Sequence, residues 1–115
     1  MDISVQPSDP NIHTDDQTRR LYANDASSYE ELPEGVAFPR SRHEIIKLVQ
    51  WARRNGKSIT ARGAGTSLAG QTTGGGVVMD VGRNMNQIIE INENEQFAHV
   101  QPGVIRDTLN RKAEK

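Results

Sequence analysis

Residues 59–80 read ITARGAGTSLAGQTTGGGVVMD and hold six of the ten glycines in a chain of 115 residues. The stretch runs between two segments of strand character, one ending at Ala61 and one opening at Val77. A connection this poor in side chains lets backbone come close to whatever it meets. Its meaning depends on what lies to either side.

The clearest helix precedes it. Ser41-Arg42-His43-Glu44 is a capping box, and Ile45, Leu48, Val49 and Ala52 follow as one apolar stripe. Arg53 and Arg54 stand where cations favour the helix dipole, and Gly56 suits the position just past the end. Before this helix, Gly35–Phe38 is a short apolar strand stopped by Pro39; after it, Ser58–Ala61 is a second strand. Strand, helix and strand fall within about 28 residues, a unit that ordinarily makes a parallel pair.

Beyond the glycines, Val77–Val81 is an apolar run expected to be a buried strand. Gln87–Asn92 and Gln96–Gln101 flank the polar tip Glu93-Asn94-Glu95 as a hairpin. Pro102-Gly103 then turns the chain into a helical pattern carrying Val104, Thr108 and Leu109, which reaches Lys115 without a cap, so the chain reads as truncated. At the other end Met1–Asn11 reads as a loosely held arm. Thr14-Asp15-Asp16-Gln17 opens a short helix to about Tyr22, and residues 24–34 are loop. The expected fold is α+β, a small mainly parallel β-α-β unit plus a β-hairpin. Residues 1–28 form the arm and short helix, and residues 29–115 form the domain.

Composition narrows the classes of function. Net charge is −1, which argues against a nucleic-acid or anionic-membrane partner, and the absence of cysteine excludes disulfide and thiolate chemistry. The N-terminus is polar and acidic, unlike a signal peptide, and no apolar run approaches membrane-spanning length; a cytoplasmic location is the default expectation.

Three phosphate-binding patterns can be laid on residues 62–72. The dinucleotide fingerprint begins with Gly63-Ala64-Gly65 but meets Leu68 in place of its third glycine, and a strand follows instead of a helix. The P-loop pattern fits Gly65 to Thr72 except for Gln71 in place of lysine, and again lacks the helix. The third is a cradle of consecutive backbone N–H groups after a strand. Arg62 would add a cation to it, and Thr66, Ser67 and Thr72 would add hydroxyls. On composition alone an ordinary glycine loop reads equally well.

Four stretches in order decide between them: Val36-Ala37-Phe38-Pro39, then ITARGAGTSLAGQ, then GVVMDVGRNMNQIIEIN, then VQPGVIRDTLN. With YANDASSY (residues 22–29) leading in, they resemble the N-terminal part of the FAD-binding, PCMH-type domain of the vanillyl-alcohol oxidase/p-cresol methylhydroxylase flavoprotein family. The likeness is strongest to its D-lactate/glycolate dehydrogenase-like branch. RGAGTSLAGQ most resembles the large dehydrogenases that fuse this domain to a C-terminal iron–sulfur region, which leaves room for an iron–sulfur cluster downstream.

The resemblance implies that Arg62, Gly63, Ala64, Gly65, Thr66, Ser67, Leu68, Gly70 and Gln71 wrap the FAD pyrophosphate, mainly through backbone amides. Pro39, Pro102 and Gly103 would border the adenosine side. Members with covalent flavin often carry a histidine where this chain has Thr66, so non-covalent FAD is implied. The implied reaction is hydride transfer from a small 2-hydroxyacid to flavin, with electrons leaving to an acceptor. The resemblance assigns no catalytic residue. A phosphate-binding or protein-interaction module without chemistry is the alternative reading.

The remaining candidates are bland. His13, His43 and His99 fall in three elements without ligand spacing. Asp15-Asp16 and Glu30-Glu31 read as helix-end and loop charges. Trp51 reads as packing on a helix flank, and Asp25, Ser27 and Tyr29 as a hydrogen-bonded loop.

Overall fold

The structure, a computed structural model, describes residues 9–23, 31–63 and 75–114. In chain order the elements are α1 (Asp16–Leu21), β1 (Gly35–Ala37), α2 (Arg42–Asn55), β2 (Ile59–Arg62), β3 (Val77–Asp80), β4 (Ile88–Asn92), β5 (Phe97–Val100) and α3 (Arg106–Ala113). β1, β3 and β2 form a parallel sheet in that spatial order, and β4 pairs with β5 as a separate antiparallel hairpin. The α+β expectation holds.

The strand–helix–strand unit does not close on itself. β1 and β2 are parallel but do not pair, because β3 lies between them with Val77 opposite both Gly35 and Ile59. Burial explains the order. All four β3 residues are buried, which suits the strand with a neighbour on each side, whereas β2 is only half-buried and takes an edge. The outer edge of β1 is covered by His13, which exchanges two backbone hydrogen bonds with Val36, at 2.8 and 2.9 Å.

α2 keeps its expected ends. Ser41 Oγ accepts from the Glu44 amide, and Gly56 takes the left-handed conformation at φ 63° while the Lys57 amide reaches back to the Ala52 carbonyl. Its inward face is rotated from the expected stripe. Leu48 and Ala52 are buried and Ile45 is partly so, but Val49 is 48% exposed and Trp51 only 2%. Val49 and Trp51 flank the Leu48–Ala52 line on opposite sides. Turning the indole inward removes more apolar area from water than turning in the valine would. These residues form the core with Ile12, Ala37, Val77, Met79 and Val81. The segment read as a loose arm, Met1–Asn11, thus contributes Pro10 to the buried set, and Ile12 just beyond it is buried as well.

Two further details differ from expectation. The cap of α1 is Asp15, not Thr14, with Asp15 accepting from the Thr18 amide at 2.9 Å. The hairpin tip places Gln96 at φ 57°, and Asn92 Oδ1 accepts from the Glu95 amide at 2.9 Å within it. Val104 and Leu109 are half-buried, while Ile105, which precedes α3, is 67% exposed.

Candidate functional site

Parallel pairing brings the carboxyl ends of β1, β3 and β2 to one edge of the sheet, the edge where open α/β sheets receive ligands. From β1 the chain leaves through Phe38 and the buried Pro39; from β2 it leaves through Arg62 and the exposed Gly63. A Cβ at Gly63 would meet nothing within 4 Å among the described residues. Ala64, Gly65, Thr66, Ser67, Leu68, Gly70 and Gln71 lie outside the described residues, as do Asp25, Ser27 and Tyr29.

Asp80 closes β3, in register with Arg62 and buried. Tyr22, the C-cap of α1, donates its hydroxyl to Asp80 Oδ2 at 2.5 Å. Asp80 Oδ1 accepts from the amides of Gly82 (2.8 Å) and Arg83 (3.3 Å), an Asx turn that aims the chain leaving β3. A buried carboxylate is thus satisfied on both oxygens. Burial, and then the hydrogen bond to Asp80 and its charge, push the Tyr22 phenol up to about 12, against smaller opposing effects of Arg83 and Arg62.

Around this pair the aromatic rings interlock. Phe38 meets Tyr22 edge to face at 5.7 Å and His13 at 5.2 Å. The Arg62 guanidinium carbon lies 5.0 Å from the Tyr22 ring centroid, and that of Arg83 lies 4.0 Å from the Phe38 centroid. Beside β1 a cleft of about 540 Å³ opens, lined among others by Phe38, Pro39, Arg40, Lys47, Arg83 and Asn84. Asn84 Nδ2 donates to the Phe38 carbonyl at 3.0 Å and braces one wall.

Pro102 and Gly103 reach the same edge from the hairpin side. Gly103 sits against the backbone of residues 81–85, with its N–H donating to the Met85 carbonyl at 2.8 Å. Pro39, Arg62, Gly63 and Gly103 therefore all adjoin the carboxyl ends of the sheet. Sequence reasoning missed Tyr22, Asp80 and Arg83. Asp80 was open to detection, as a charge ending an apolar run with a glycine two residues on. The histidines stay apart: His13 bridges to β1, while His43 and His99 are exposed on α2 and β5. No helix among the described residues is long and apolar enough to cross a membrane.

Residues 33–115 match the family described as the FAD binding domain. The chain belongs to the FAD binding domain family. This FAD binding domain is 33% identical over 113 residues to D-2-hydroxyglutarate dehydrogenase of Haemophilus influenzae, covering 96% of this chain and 11% of the relative. The Escherichia coli protein of that name is 40% identical over 96 residues, covering 81% and 9% of the two chains. Glycolate oxidase subunit GlcD of Bacillus subtilis is 40% identical over 105 residues, covering 88% and 22%. The chain thus spans about a tenth of the length of the first two relatives and about a fifth of the third. Among solved structures, 6-hydroxy-D-nicotine oxidase of Arthrobacter nicotinovorans superposes with a TM-score of 0.74 or better, at 0.79, with 28% identity over 95% of this chain and 25% of that one. Alkyldihydroxyacetonephosphate synthase shares the fold at a TM-score of 0.74, with 21% identity over 89% of this chain and 21% of its own.

The cofactor of this domain is FAD, and the described residues suit its diphosphate. Two guanidinium groups, those of Arg62 and Arg83, are seated on rings at the edge where Gly63 is exposed. Cations and exposed amides are the donors that a diphosphate requires.

Proposed function

We infer that this chain is the cofactor-gripping portion of an FAD-dependent oxidoreductase acting on a small D-2-hydroxyacid, a dehydrogenase of the D-lactate/glycolate type. The observation that carries the reading is the identity of 33–40% to relatives whose names specify D-2-hydroxyglutarate and glycolate, both 2-hydroxyacids. Bound FAD would supply the two-electron acceptor for oxidising such an acid at its α-carbon.

The residues of this chain bind and orient. Residues 62–71 would receive the pyrophosphate on backbone amides, with Arg62 as a cation and Thr66 and Ser67 as hydroxyl donors. Pro39 and the Pro102-Gly103 turn would border the adenosine side. Thr66 stands where relatives with covalent flavin often carry histidine, so the cofactor would be held without a covalent link.

The test is purification of the full reading frame. It should be yellow, release its flavin on denaturation, and lose its flavin absorbance anaerobically with D-2-hydroxyglutarate, D-lactate or glycolate. Protein that neither carries nor takes up FAD would refute the reading. Flavin retained through denaturation would refute the non-covalent part alone.

A further inference from the structure

Two arginines sit over two aromatic rings at the carboxyl edge of the sheet, Arg62 over Tyr22 at 5.0 Å and Arg83 over Phe38 at 4.0 Å. The rings meet edge to face at an interplanar angle of 69°, so the placement of one cation is tied to that of the other. A guanidinium seated on a ring uses its face there and directs its N–H fork sideways, the geometry that matches phosphate oxygens. The seat is anchored from below. Asp80 accepts the Tyr22 hydroxyl on one oxygen and the Arg83 amide on the other, so one buried carboxylate fixes the first ring and the second arginine's backbone. His13 meets Phe38 edge to face at 5.2 Å.

We propose that Tyr22 and Phe38, anchored by Asp80, space Arg62 and Arg83 as a two-cation clamp for the diphosphate of the cofactor. The clamp rests on the FAD reading above. Arg62 and Arg83 are its binding residues; Tyr22, Phe38 and Asp80 are positioning residues. One arginine would leave one of the two phosphate charges unmatched, and Arg83 arrives at the same edge from β3. Neither ion pair among the described residues, Arg19–Asp16 and Lys57–Glu34, engages Arg83. Its exposed position means that substitution leaves the core intact.

The experiment is titration of the flavin-stripped full-length protein with FAD, at two salt concentrations, beside thermal unfolding. Arg83→Gln should raise the FAD Kd by about tenfold or more, the loss expected for one charge-assisted hydrogen bond, and should flatten the salt dependence. Its unfolding temperature should stay at the wild-type value. In a Tyr22→Leu background the Arg62→Gln and Arg83→Gln penalties should shrink by about threefold or more, since the seat that aligns them is gone. Tyr22→Phe keeps the ring but loses its tie to Asp80, so it should shrink both penalties less than Tyr22→Leu does. If Tyr22→Leu does not fold, the Arg62→Gln/Arg83→Gln cycle decides: a joint clamp makes the two penalties non-additive. Wild-type-like affinity in Arg83→Gln, undiminished penalties in Tyr22→Leu, or strict additivity of the two arginines would each overturn the clamp while FAD binding by the unchanged protein stands. Failure of the unchanged protein to bind FAD would overturn the functional reading, and the clamp with it.

Discussion

Replacing Gly103 by alanine puts a methyl group among three backbone atoms. The added Cβ would lie 2.6 Å from the Val81 oxygen, 2.7 Å from the Gly82 Cα and 2.7 Å from the Met85 oxygen. None of these is the tip of a side chain that can swing aside. The turn and the 81–85 segment must part by roughly 0.8 Å to restore ordinary contact, in a packed interior that transmits such strain. The movement works against the Gly103–Met85 hydrogen bond at 2.8 Å and the Gln101–Gln87 bond at 2.9 Å. Overpacking costs ~1–3 kcal/mol and a weakened internal hydrogen bond adds about 1, so Gly103→Ala should lose ~2–4 kcal/mol of stability. Denaturant unfolding without added flavin measures it. Gly63→Ala is the matched control: its Cβ meets nothing within 4 Å among the described residues, so stability should change by less than ~0.5 kcal/mol while FAD affinity falls. A Gly103→Ala protein as stable as wild type would refute the packing argument and return Gly103 to a purely ligand-facing role.

The rotation of α2 can be tested in the same way. Trp51→Ala should cost ~3–5 kcal/mol and Leu48→Ala ~2–5, against less than ~0.5 for the exposed Val49→Ala; a Val49 cost equal to that of Trp51 would put the wrong face inward. The Tyr22 phenol sets a pH dependence. It keeps its proton to about 12 in the fold against 10 for the ordinary group. Between those values the folded state therefore binds more protons than the unfolded chain. The contribution is complete below pH 10 and is lost as pH rises through 12. Unfolding midpoints at about pH 8 and about pH 11 should converge between wild type and Tyr22→Phe at the higher pH, and parallel profiles would show that the phenol is not held by Asp80.

The elements of this protein are written in neighbouring residues. Ser41 with Glu44 starts α2, Gly56 ends it, and the β-branched runs around Ile59 and Val77 mark strands. Each depends on backbone chemistry within a turn or a few residues. The four ordered stretches from Val36 to Asn110 likewise carry the family resemblance, since their residues and spacing are read directly from the chain.

What the fold decided is of longer range. Tyr22 and Asp80 stand 58 residues apart, and no local pattern pairs them. Only the docking of α1 beside β1 brings the phenol to the carboxyl end of β3. β3 takes the centre of the sheet because its residues are buried on both faces, a competition among three strands that no single strand encodes. The inward turn of Trp51 has the same origin, since helical period leaves Val49 and Trp51 as alternative flanks and the surface opposite selects the larger ring. Arg83 becomes a candidate for the site through Phe38, which β1 carries to the same edge. Local chemistry shaped the pieces, and the burial of distant apolar surface chose which side chains would share an edge.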